Sequence, residues 1–276
     1  MTTVSPALSS GISDSYGLSA PASPLRSGRL AHKDGLRRSA ALASALTLTL
    51  AIAAGAQAQD DDALSGFVSF NSDAFFGVNP FAGITYDTGG LDLTFYGIYW
   101  GAGTGQNWGN WTEFGAGVGF DALDGDLYIN PQIGFTSGNL LSSGVAEPGI
   151  VGDGFVPNIT MNYATDAWEG QLYAGWYLPL REEEPEGGTT LEYVHYWLTG
   201  GKKFGRYFSV GAHFEELKLS GGSNVSEQDG YQWLGPYFQV ANDTYGLRFS
   251  FGADLTDDDD SFSASDFYKL QFFYSF

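Results

Sequence analysis

Beyond residue 58 the chain has two histidines, in His195-Tyr196-Trp197 and His213-Phe214-Glu215. Residues two apart on an extended chain share a face, so His213 stands beside Glu215 as a candidate acid–base pair. Nucleophilic catalysis would also need a hydroxyl within hydrogen-bond reach of such a base, and Ser223-Asn224 has no histidine next to it. The carboxylate runs at 60–62, 182–186 and 257–260 could attract Ca²⁺ or Mg²⁺. They lack the spaced ligands and turn glycine of a dedicated calcium loop, and like-charged runs of this kind are solvated loops or termini. Gly115, Gly117, Gly119 and Gly252 alternate within extended segments, which is not the strand–turn–helix setting of a phosphate loop. The expectation is no catalytic residue, no resident metal and no cofactor, with divalent cations loosely held at acidic loops as the one bound species.

Composition narrows the class further. With 12 Lys+Arg against 32 Asp+Glu the chain is no nucleic-acid binder, and without cysteine it has no disulfide, thiolate metal site or thiol nucleophile. The 39 Gly with 21 Phe, 16 Tyr and 7 Trp argue against disorder and for strands. Residues 1–38 carry Arg26, Arg29, Lys33, Arg37 and Arg38, an apolar run covers 39–55, and Ala56-Gln57-Ala58 follows. That order is a secretory signal peptide, so residues 1–58 are expected to be removed and 59–276 to form the mature protein. The leader takes 5 of the 12 basic and 2 of the 32 acidic residues with it, leaving 7 against 30. After it no apolar run approaches the roughly 18 residues that a membrane helix needs.

The elements that must position any site are strands. Thr112, Phe114, Ala116, Val118 and Phe120 alternate with Glu113, Gly115, Gly117 and Gly119. The same two-faced pattern runs through 126–136, 155–163, 168–178 and 245–255, and further runs lie at 64–73, 81–86, 91–100, 190–199, 207–219, 231–240 and 267–276. This predicts an all-β, transmembrane, antiparallel up-and-down barrel of 12 strands, with short turns alternating with longer loops and both termini in the periplasm. Short turns are expected at 87–90, 121–125, 164–167, 200–206 and 241–244, and longer loops at 74–80, 101–110, 137–154, 181–188, 220–230 and 256–265. Trp100, Trp111, Trp176 and Trp233 are assigned to an aromatic girdle at the outer strand ends. Phe120, Tyr163, Trp168, Tyr245 and Phe276 are assigned to one at the periplasmic ends.

On this reading Glu113, Asn130, Gln132, Asn158, Asn162, Glu169, Gln171, His213, Glu215, Arg248, Asp254 and Lys269 face a lumen. Carboxylates outnumber bases there, and a low-dielectric wall of one sign enriches counter-ions. The expected function is a narrow outer-membrane channel for small polar solutes that favours cations or neutral molecules. A structural or adhesive barrel with a closed lumen is the alternative.

The stretch Ser69-Phe70-Asn71-Ser72-Asp73-Ala74-Phe75-Phe76-Gly77, the segment Leu91-Asp92-Leu93-Thr94-Phe95-Tyr96-Gly97-Ile98-Tyr99-Trp100-Gly101 and the terminal strand resemble the small uncharacterised porin-type barrels of Gram-negative bacteria, the TorF type among them. In the terminal strand Tyr268, Leu270, Phe272, Tyr274 and Phe276 form an aromatic-ended signature similar to the one that barrel-assembly machinery recognises. The resemblance implies outer-membrane lipid, lipopolysaccharide, that machinery and small solutes as partners, and transport as the role. The phospholipase-type barrel, also of twelve strands, is a less suitable comparison, because its histidine just before a serine and asparagine has no counterpart here.

Overall fold

The computed structural model describes residues 63–100, 111–142, 149–181, 190–256, 261 and 265–276. The expected leader at 1–58, the acidic runs at 60–62, 182–186 and 257–260, and the expected loop at 101–110 lie outside the described residues. Twelve strands follow one another: β1 (Leu64–Asp73), β2 (Gly77–Asp87), β3 (Asp92–Trp100), β4 (Trp111–Ala122), β5 (Leu127–Gly138), β6 (Ile150–Ala164), β7 (Trp168–Pro179), β8 (Leu191–Phe204), β9 (Phe208–Gly222), β10 (Gln228–Ala241), β11 (Tyr245–Asp254) and β12 (Phe267–Ser275). Each pairs antiparallel with the next, and β12 returns to β1, so the sheet closes into a barrel. Gly66 N–H donates to the Phe276 carbonyl and Phe276 N–H to the Gly66 carbonyl, both at 2.9 Å, which extends the seam to the last residue.

Register fixes which residues share a face, because directly opposed residues of an antiparallel pair point the same way. Glu113 opposes Thr136, Gln132 opposes Asn158, Asn162 opposes Gln171, Thr199 opposes His213, Gln239 opposes Arg248, and Ser250 opposes Lys269. These belong to one continuous inner face. The other parity carries Phe114, Phe135, Leu198, Leu247, Phe249 and Leu270, all exposed on the outside. An apolar exterior around a polar interior is the inverse of a water-soluble core. Among the described residues no helix is long and apolar enough to cross a membrane.

Several connections are shorter than expected: the predicted loops at 137–154 and 220–230 narrow to 139–149 and 223–227, because β5, β6, β9 and β10 run on into them. The predicted loop at 74–80 is a three-residue turn, because the Asp73 carboxylate accepts the backbone N–H of Phe75 (3.0 Å) and Phe76 (2.6 Å) and lets β2 begin at Gly77. Gly77 has a φ of 70°, a left-handed value suited to glycine. The predicted turn at 200–206 is likewise mostly strand, since β8 runs on to Phe204 and Gly205, with a φ of 70°, opens the hairpin.

Candidate functional site

The inner face is apolar at one end and polar at the other. Toward the end that carries the connections β1–β2, β5–β6 and β9–β10, here termed the loop end, it is filled by an aromatic septum. Phe75, Phe76, Trp100, Trp111, Leu140, Leu141, Val156, Tyr177, Tyr193, Leu217, Leu219, Tyr231, Trp233 and Phe267 form this one buried cluster. Phe75 and Phe76 meet edge to face at 4.8 Å, Phe76 lies 4.7 Å from Trp100, and Phe75 lies 5.1 Å from Tyr231. Tyr231, Trp233 and Phe267 continue as a stack with centroids 3.8 and 4.9 Å apart. Leu140 and Leu141 enter from the β5–β6 connection, where the buried Asp153 carboxylate accepts the N–H groups of Leu140, Leu141 and Ser142 at 2.8–2.9 Å.

Three tryptophans therefore need a different assignment from the outer girdle. Trp100, Trp111 and Trp233 point inward and are 6%, 3% and 1% exposed. Trp111 opposes Trp100 on β3 and Trp233 opposes Glu215 on β9, so their parity is that of the lumen. Trp176 does face outward, as do Phe120, Tyr163, Trp168 and Tyr245 near the turn end.

Against the septum sits a buried polar cluster. Glu215 Oε1 is 2.9 Å from His195 Nε2 and accepts the Tyr231 hydroxyl at 2.9 Å, while its Oε2 is 2.9 Å from His213 Nε2 and 2.6 Å from Lys269 Nζ. Asp73, which caps the β1–β2 turn, opposes Lys269 across the closing seam. Charges this deeply buried are stable only when paired and hydrogen bonded, and here both carboxylate oxygens are used. The His213–Glu215 pair read from spacing is thus one edge of a larger network, to which β8, β10 and β12 add members that lie far off in sequence.

Below the septum a cavity of about 630 Å³ extends to the turn end, from Trp100 and Glu113 down to Ser65, Thr85 and Ser275. Of the residues expected in a lumen, Glu113, Asn130, Gln132, Asn158, Asn162, Gln171, His213, Arg248 and Lys269 line it. Glu169 stands behind Arg248, 3.6 Å from its Nη2, and accepts Ser209, Tyr237 and Gln239. Glu215 lies in the cluster just described. Asp254 instead organises the β11–β12 connection by accepting the N–H groups of Gln232 and Thr256 at 3.0 and 3.1 Å. The structure leaves room inside partly through glycine: a Cβ at Gly115 would overlap the Tyr96 ring that lies across it. In β12 the signature residues Tyr268, Leu270 and Phe272 are exposed on the outer face.

Of the residues weighed for catalysis, His195, His213 and Glu215 meet in that cluster, whereas the candidate hydroxyl is held by Thr190. Ser223 Oγ accepts Thr190 N–H at 2.9 Å and bonds the Thr190 hydroxyl at 3.0 Å, and it lies on the β9–β10 connection beyond the histidines. Among the described residues no group of three or more histidine or carboxylate side chains is arranged to hold a metal.

The fold resembles that of a solved structure. The COG4313 outer membrane channel from Pseudomonas putida F1 is similar at 10% identity over 77% of this chain and 95% of that one, with a TM-score of 0.53. OccK5 (OpdH) of Pseudomonas aeruginosa is similar at 10% identity over 79% of this chain and 68% of that one, with a TM-score of 0.42. The first of these likenesses is one of fold. No curated protein matches the chain. The family described as "Family of unknown function (DUF6733)" matches residues 36–276, a span that takes in every strand of the barrel, and it is to this family that the protein belongs.

Proposed function

We propose that the protein is an outer-membrane channel for small polar solutes, favouring cations or neutral molecules, with its termini and turn end in the periplasm. One observation carries the reading. A cavity of about 630 Å³, lined by polar side chains interleaved with aromatic rings, lies inside an apolar cylinder and is stopped at the loop end by a septum whose central rings come from a connecting turn. A closed barrel with an apolar outer band satisfies every backbone group without water, which is what a membrane demands. The outward aromatics of β12 are what the assembly machinery would meet. Export is through a signal peptide cleaved after Ala58, so the mature protein is expected to begin at Gln59. Mass spectrometry of the mature N-terminus checks this, and an intact leader would overturn it.

Charge supports the selectivity. On the cavity wall Asp73, Asp92 and Glu113 accompany Arg248 and Lys269, and those two bases already serve Glu169 and Glu215. The net excess is acidic, and a low-dielectric wall of that sign enriches cations. In a planar bilayer under a KCl gradient the reversal potential should take the cation-selective sign and move toward zero in Glu113→Gln with Glu169→Gln. An anion-selective sign refutes the preference. The septum also favours a second reading, a structural or adhesive barrel with a permanently closed lumen. That reading predicts no conductance even after the septum is thinned.

A further inference from the structure

Glu113 is 1% exposed and lines the inner end of the cavity. Its Oε1 accepts the Tyr96 hydroxyl at 2.6 Å and its Oε2 accepts Trp100 Nε1 at 3.3 Å. No ion pair among the described residues reaches it. Glu215 and Glu169, by contrast, each stand against a base. A buried carboxylate without a positive partner is expensive to keep charged, so this end of the cavity is a place for a cation to complete.

Two further features define which cation. Asn158, 7% exposed and on the cavity wall, donates through Nδ2 to the Tyr96 hydroxyl (2.9 Å) and the Val156 carbonyl (3.1 Å). Those bonds fix the amide's orientation and leave Oδ1 without a partner among the described residues. An unsatisfied buried acceptor needs a physical reason, and a donor or positive group delivered from the cavity supplies one. The surrounding wall is aromatic: Tyr96, Trp100, Tyr173 and Trp197 all line the same cavity. Tyr96 and Trp100 give Glu113 their donor edges, and a carboxylate bordered by aromatic side chains suits an organic ammonium, which loses little hydration and gains cation–π attraction, better than a small hydrated metal ion.

We infer that the inner end of the cavity is a binding site for small organic ammonium ions, held by Glu113, Asn158 and the rings of Tyr96, Trp100 and Tyr173. The inference deepens the channel reading and rests on it for access from the turn end. Calorimetric titration of the full chain refolded in detergent tests it, with choline as the probe and 3,3-dimethyl-1-butanol as its uncharged isostere. Choline should bind saturably, the isostere weaker by about tenfold or more, and Glu113→Gln should weaken choline by a similar factor, because a charge-assisted contact is lost. Glu216→Gln, a change on the outer face, should leave binding intact. The site is overturned if choline fails to bind, if the isostere binds equally, or if KCl at equal ionic strength gives the same heat. Because the wild-type comparison of choline with its isostere needs no variant, a misfolded Glu113→Gln cannot rescue the idea. Choline binding by a barrel that never conducts would uphold this site and sink the channel, whereas conduction without choline binding would do the reverse.

Discussion

Alanine at both Phe75 and Phe76 is expected to raise single-channel conductance by about tenfold or more, since an apolar constriction gates by excluding water and opens once it can be wetted. These two rings occupy the middle of the septum, between Tyr231 on one side and Trp100 with His195 on the other. They come from a three-residue turn and not from a strand, so their removal leaves the ladder of the barrel wall in place. Trp111, Tyr177, Trp233 and Phe267 would remain as lining. Each buried phenylalanine lost costs about 3–5 kcal/mol of packing, so the variant should also unfold at lower urea. Planar-bilayer recording of wild type and variant decides the matter. If the double variant is folded and conducts no better than wild type, the stopper lies in the strand-borne rings and the channel reading fails with it.

Lys269→Met should be the most destabilising single change on the inner face. It leaves Glu215, fully buried, with only His195, His213 and Tyr231 around it, and breaking a buried ion pair from one side costs about 3–5 kcal/mol. Adding Glu215→Gln should recover much of that loss, because a neutral pair no longer carries an uncompensated charge. Lys218→Met, at the exposed pair with Glu227 on the outside, should change stability little. Urea midpoints for refolding into lipid vesicles compare all three. Equal midpoints for Lys269→Met and Lys218→Met would show that the cluster at Glu215 contributes no net stability.

The strand count and the two-faced pattern were legible because a period of two is a property of neighbouring residues. Thr112 to Phe120 state their parity without help from any other strand. The septum was harder to read. Trp100 and Trp111 sit at strand ends, and Trp233 stands near the start of the expected strand at 231–240, where tryptophan normally marks a membrane boundary, and that association outweighed parity. Trp111 shares its phase with Glu113 and Gly115, so the signal that it faces inward was present and local. The meeting of His195 with Glu215 was not. It depends on the β8–β9 register, which is set by a hairpin at Gly205 that opens later than the run of glycines and lysines suggests. Phe75 and Phe76 read as loop residues for a related reason: only the side chain of Asp73 folding back over the turn brings them into the barrel.

Strand length varies around the cylinder in a way that gives the molecule a front and a back. β6, β8, β9 and β10 have 14 or 15 residues, whereas β11, β12, β1 and β3 have 9 or 10. On β9 and β10 the outward residues change from Phe214 and Leu234 to Glu216 and Gln232, and Glu216 accepts both Gln232 and the Tyr196 hydroxyl. β10 outruns β11 there, and its bare flank is covered by the Leu255 N–H on the Gln232 carbonyl and by Ser261 against Gly230. In a lipid layer of even thickness this tall side would rise as a palisade, wet on its outer face and dry within where Leu217, Leu219 and Tyr231 join the septum, and the exposed flank of β10 is tied down among the described residues, which hinders a neighbour from zipping onto it.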